Sequence, residues 1–165
     1  MSRAFVALGS SIEPAARMAA AARAIKAHFP DARFSACYRN APFGFDGADF
    51  INAVVEFTTA LPVPALLCVL HAIEAQCGRG RNEPKWAPRA MDLDLLLYDE
   101  LVASGPGYTL PRPDLTDRIY MLGPLAELAP QRRHPITGER FGELWAAFPR
   151  APQAMTPMPP DLNAA

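Results

Sequence analysis

The run Met91-Asp92-Leu93-Asp94-Leu95-Leu96-Leu97-Tyr98 constrains this chain more than any other stretch. It has the length and apolar content of a buried strand, yet it opens on two carboxylates. A strand sends alternate side chains to one face, so Asp92 and Asp94 look the same way, about 7 Å apart. Paired carboxylates of this kind suit a hard cation, because Mg²⁺ takes one or two carboxylates and completes its shell with water and phosphate. Immediately upstream, residues 78–90 carry Arg79, Arg81, Lys85 and Arg89 against Glu83, a local +3 in a chain whose net charge is −1. That excess points to a small polyanion. Trp86 sits inside the same glycine- and proline-punctuated loop with no core of its own to join, as expected of a lid over a flat ligand. Singly, these features read as a frayed strand end and a solvated loop. Their conjunction points to a site.

The remaining pattern alternates strands and helices. Arg3 to Leu8 reads as a short apolar strand, followed by an alanine-rich helix from Pro14 to about His28. No G-K-[ST] or G-x-G-x-x-G accompanies that strand–turn–helix, so a phosphate loop is excluded there. Strands are expected at about Arg33–Arg39 and Phe50–Thr58, joined by a turn-rich loop with Phe43 and Phe45. A helix opened by Pro62 and Pro64 runs to about Cys77 and ends at Gly78, with His71 and Glu74 on one face. After the Asp92–Tyr98 strand, Asp99-Glu100 forms a turn and Leu101–Ala103 a returning strand, with Ser104–Gly107 a further turn. Helices follow at about 117–129 and 141–148. The order β-α-β-β-α-β with additions suggests an α+β, ferredoxin-like sandwich in one domain, residues 1–148. Residues 149–165 hold five prolines and few large apolar groups, and are expected to be disordered.

The motif R-x-x-x-x-W-x-P-R-x-x-D-L-D-L-L-L-Y, here from Arg81 to Tyr98, resembles the signature of the 6-hydroxymethyl-7,8-dihydropterin pyrophosphokinases, commonly W-G-P-R-T-L-D-L-D. The resemblance implies a ferredoxin-like core and transfer of pyrophosphate from ATP to a reduced pterin, with Asp92 and Asp94 holding two Mg²⁺ ions. It implies Arg79 and Arg89 as the catalytic cations. Phe50-Ile51-Asn52 is similar to the family's aromatic-x-Asn motif, so Phe50 would stack on the pterin and Asn52 pair with its polar rim. Asn40, Phe43, Trp86 and Tyr120 complete the implied pterin site. The implied ATP set is His71, Glu74, Arg81, Arg89, Thr109, Arg112 and Arg118. Three departures stand out: Arg112 where histidine is usual, Ala87 for glycine, and Gly47 where glutamine is frequent. An arginine neutralises phosphate but cannot switch charge near neutral pH. These changes leave open a diverged paralogue that acts on, or only binds, another pterin.

Composition bounds the rest. At 165 residues and half apolar, the chain can bury a proper core. Its near-neutral charge and acid-bearing central strand argue against nucleic acid as a partner, including an RNA-binding ferredoxin-like sheet. Three cysteines without C-x-x-C spacing are expected as free thiols. With no signal-peptide pattern and no apolar run of membrane-spanning length, the expectation is a soluble, cytoplasmic, monomeric enzyme.

Overall fold

Strand β1 (Ser2–Ser10) is the axis of the molecule, because its neighbours on both sides supply the site. The computed structural model describes residues 1–41, 47–78, 91–149 and 155–165. β1 pairs antiparallel with β4 (Phe50–Thr59) on one side and β5 (Asp92–Tyr98) on the other. β2 (Arg33–Phe34) and β3 (Cys37–Asn40) both pair with β4, giving the order β5-β1-β4-β3 expected of a ferredoxin-like sheet. Helices α1 (Pro14–His28) and α2 (Val63–Gln76) cover one face, and α3 (Ile119–Leu128) and α4 (Phe141–Ala147) cover the other.

Alternation along β1 explains the two layers. Ala4, Val6 and Leu8 pack beneath α1 and α2, whereas Phe5 and Ala7 pack beneath α3. On α1 the buried positions are Met18, Ala21, Ala22 and Ile25, one stripe at helical spacing. Ala21 and Ala22 are fully buried, so a larger side chain at either would overpack the helix–sheet seam at about 1–3 kcal/mol. α2 stops at Cys77, and Gly78 follows with φ 116°, a conformation that favours glycine; the Arg17 guanidinium also passes where a Cβ would stand, donating to Cys77 O at 2.9 Å.

Two register irregularities decide which side chains reach the site. Between Phe34 and Tyr38 lie three residues, while between their partners Val55 and Asn52 lie two. The extra residue is a bulge, and it splits the expected Arg33–Arg39 strand in two. Its cause is Ser35: the amide donates to Val54 O at 2.8 Å, and the hydroxyl accepts from Val54 N at 2.9 Å in place of a ladder carbonyl. Phe34 therefore faces α1 and α2, but Tyr38 and Asn40 face α3. In β5, Phe5 pairs Leu97 and Val6 pairs Leu95, so Leu96 is the extra residue. Leu96 and Leu97 consequently both enter the α3-side core, and Asp92 and Asp94 align with Gly9 and Ala7 on that same face.

Three expectations need correction. Leu101–Ala103 is not a returning strand: Leu101 N closes the Asp99-Glu100 turn onto Tyr98 O at 3.0 Å and Leu101 and Val102 face solvent. The hairpin is instead β6 (Ala103–Gly105) with β7 (Tyr108–Leu110), which narrows the expected 104–107 turn to its tip. The expectation of disorder for 149–165 fails over residues 155–165. There β8 (Thr156–Met158) pairs with β3, Leu162 is buried, and Asn163 closes on Phe34 N and O at 2.9 Å each. Lys26 Nζ adds bonds to Leu162 O at 2.6 Å and to Asn163 O and Ala165 O at 2.9 Å. An edge strand offers unpaired N–H and C=O groups, and a proline-bearing strand is tolerated at a sheet's outer edge, where its missing donors are not needed.

Candidate active site

Five of the site's side chains come from the sheet face beneath α3. Asp92 and Asp94 stand beside Gly9 and Ala7, and Asn52 stands across from Gly9 on β4. The small side chains on β1 leave a hollow between the acids and the amide. Asn52 Nδ2 donates to Asn40 Oδ1, which the β3 bulge has brought to this face, and Asn40 Nδ2 donates to Ala41 O at 3.1 Å. The Asn52 carbonyl oxygen then lies over Gly9, where a Cβ would come within 2.7 Å of it. Phe50 and, from α3, Tyr120 line the same cavity, which has a volume of about 180 Å³. That is the scale of a space holding one small ring.

A second, larger cavity of about 580 Å³ opens on the far side of Asp94. His71 from α2 and Thr109 from β7 line it. Asp94 and Arg112 line both cavities and so form their shared wall. Arg112 follows β7; its amide donates to Leu96 O at 3.0 Å, and Leu115, fully buried, anchors the turn beyond. Its guanidinium reaches Asp94 Oδ1 at 3.3 Å through Nη1 and Asp114 Oδ1 at 2.8 Å through Nε. Burial works against the guanidinium's charge, but Asp94 and Asp114 outweigh it and hold its pKa above the ordinary value.

Glu74 lies behind this wall. It is 3% exposed and accepts a hydrogen bond from Leu93 N at 2.9 Å, between the two aspartates. Burial pushes its pKa up; the Leu93 amide opposes the rise and the charges of Asp92 and Asp94 add to it. Burial also raises the Tyr120 hydroxyl, against a hydrogen bond from Arg118, the N-cap residue of α3. Among the described residues no group of three or more His, Cys, Asp or Glu forms a metal cluster. The donor set fits Mg²⁺ nonetheless: two carboxylates on one face, opening on a cavity, leave the remaining positions for phosphate and water.

The sequence profile of 7,8-dihydro-6-hydroxymethylpterin-pyrophosphokinase matches residues 5–130. The chain belongs to this family. Curated pyrophosphokinases agree, each named 2-amino-4-hydroxy-6-hydroxymethyldihydropteridine pyrophosphokinase. The Pseudomonas aeruginosa protein is 39% identical over 152 residues, covering 89% of this chain and 92% of that one. The Methylorubrum extorquens protein is 41% identical over 134 residues, 79% and 84%, and the Synechocystis protein 38% over 144 residues, 86% and 73%. Among solved structures, a Plasmodium falciparum HPPK-DHPS has a TM-score of 0.72 over 88% of this chain at 11% identity, a likeness of fold alone. The chain spans 45% of that structure's length.

Of the pyrophosphokinase residues expected from sequence, Asn40, Phe50, Asn52, Asp92, Asp94, Arg112 and Tyr120 meet at the smaller cavity. His71, Thr109, Asp94 and Arg112 meet at the larger one. Arg118 touches the site through Tyr120, and Glu74 through β5. Phe43, Arg79, Arg81, Trp86 and Arg89 lie outside the described residues. Two contributors were missed. Gly9 read only as the end of a strand, although its register with Asn52 makes it part of the wall; Asp114, two residues after Arg112, holds that guanidinium. Among the described residues no helix is long and apolar enough to cross a membrane.

Proposed function

We propose that this chain transfers the terminal pyrophosphoryl group of ATP to the hydroxymethyl oxygen of 6-hydroxymethyl-7,8-dihydropterin, releasing AMP. One observation carries the assignment of substrates to spaces: a ring-sized cavity and a larger one meet at Asp94 and Arg112. The pterin would lie in the smaller, flat between Phe50 and Tyr120, with the Asn52–Asn40 pair reading its polar rim. The nucleotide would lie in the larger, along His71 and Thr109, its phosphates toward Arg112 and Arg118. The catalytic unit is residues 1–148, acting as a monomer in the cytoplasm; free Cys37, Cys68 and Cys77 support a reducing compartment.

The pterin hydroxyl oxygen attacks the β-phosphorus, the bond from that phosphorus to the α,β-bridging oxygen breaks, and the hydroxyl proton passes to solvent. Two Mg²⁺ ions held by Asp92 and Asp94 would supply Lewis-acid polarisation of the phosphoryl oxygens and a template for in-line displacement. Asp92 and Asp94 act here as fixed anions at the point where both substrates meet. Arg79 and Arg89 would meet charge building on the transferring group, and Arg81, Arg112 and Arg118 would hold the phosphates. Positioning and electrostatics carry most of such catalysis. Phe43 would contact the pterin, and Trp86 would close over the site and exclude water, since hydrolysis competes.

Incubation with ATP, Mg²⁺ and the dihydropterin, followed by nucleotide analysis, tests the assignment. AMP formed in step with pterin consumption is expected. ADP would mean another transfer, and no turnover with intact pterin binding would favour the diverged paralogue.

A further inference from the structure

The function assigned above gives Asp94 to a divalent cation, yet in the free protein Asp94 already has a cation against it. Arg112 Nη1 stands 3.3 Å from Asp94 Oδ1, and Asp114 grips the same guanidinium at Nε, 2.8 Å away. A carboxylate oxygen committed to a guanidinium is a poorer ligand for Mg²⁺, and the two positive charges repel. The pair is no buried lock: Arg112 and Asp94 side chains are 34% and 40% exposed, so water screens it and it opens at small cost. The guanidinium also borders the larger cavity, where a triphosphate offers more charge and bidentate oxygens.

We propose that Arg112 is a resident cation of the metal site, occupying Asp94 in the free protein and leaving it for the triphosphate when nucleotide arrives. Divalent cation and nucleotide then bind cooperatively, each strengthening the other by one factor. The inference rests on Asp92 and Asp94 being metal ligands. It gives the arginine at this position a task that a neutral imidazole would not perform.

Mn²⁺ titration of the full chain, followed by electron paramagnetic resonance, tests it. Arg112→Gln should tighten Mn²⁺ binding to the free protein by roughly 1.5- to fivefold, whereas Arg112→Lys, which keeps the charge, should stay near wild type. With α,β-methylene-ATP at saturation the difference should vanish, because the wild-type guanidinium has by then left Asp94. Free Arg112→Gln protein that binds Mn²⁺ no better than wild type would overturn the inference while leaving the metal assignment standing. Asp94→Asn separates the two: loss of Mn²⁺ binding supports the metal assignment, and unchanged binding sinks both.

Discussion

Gly9→Ala isolates the Asn52 amide, proposed to read the pterin, without touching any charged group. Gly9 pairs with Asn52 in regular β1–β4 ladder, and its φ is not positive, so alanine meets no backbone strain. The new Cβ would stand 2.7 Å from Asn52 Oδ1, inside the contact limit, and among the described residues nothing else lies within that distance. Asn52 must therefore turn, and turning breaks its bond to Asn40. Losing a buried amide pair costs about 1–3 kcal/mol where a group is left unsatisfied, which becomes a roughly five- to hundredfold loss of pterin affinity if the amide reads the ring. The larger cavity, proposed for the nucleotide, lies on the other side of Asp94, so nucleotide affinity should hold. Isothermal titration with the dihydropterin and with α,β-methylene-ATP measures both. A double-mutant cycle sharpens the result: in an Asn52→Ala background Gly9→Ala should be nearly silent. Unchanged pterin affinity in Gly9→Ala, or a full loss persisting in the Asn52→Ala background, would refute the reasoning.

Other consequences follow from particular contacts. Asp92→Ala should abolish AMP formation with little change in the thermal melt, and near-normal turnover of the purified variant would disprove the metal role. Glu74 has a folded-state pKa above its ordinary 4.5, so the folded chain binds that proton more tightly than the unfolded chain and this contribution to stability is lost as pH rises through the folded value. Glu74→Gln keeps an acceptor for Leu93 N, so its Tm advantage over wild type should widen from acid to neutral pH; a constant or shrinking difference contradicts the burial argument. Leu162→Ala should destabilise by about 2–5 kcal/mol on the cavity scale for a buried leucine, read in urea melts, and a silent substitution would return residues 155–165 to a disordered tail. Cys37, buried and with its thiol pushed up to about 12, and buried Cys77 should resist Ellman's reagent in the native state while exposed Cys68 reacts.

The site was legible where strand parity alone decides orientation. Asp92 with Asp94, and Phe50 with Asn52, share faces because each pair stands two apart in one strand, and no tertiary information is needed. Asn40 was different: parity counted from Phe34 would aim it at α1 and α2, and only the Ser35 hydroxyl bond to Val54, which inserts one residue, turns it to the site. That bond is invisible in a pattern of apolar residues. The same limit explains β8, since its short proline-bearing segment has no propensity of its own and is ordered by the open edge of β3 and by Lys26 and Asn163. The Ala103–Leu110 hairpin was misplaced by two residues because Leu101 and Val102 are apolar but exposed. That Arg112 pairs with Asp94 depends on the turn pinned by Leu115, which no strand or helix pattern shows.

The central claim is that two cavities sharing Asp94 and Arg112 hold the two substrates with their reacting atoms at that wall. A crystal structure with the dihydropterin, α,β-methylene-ATP and Mg²⁺ measures it. The account predicts the pterin between Phe50 and Tyr120, its hydroxymethyl group toward Asp92 and Asp94, and the β-phosphate on the other side of the same carboxylates. A pterin seated in the larger cavity, or a triphosphate tail directed away from Asp94, would contradict it.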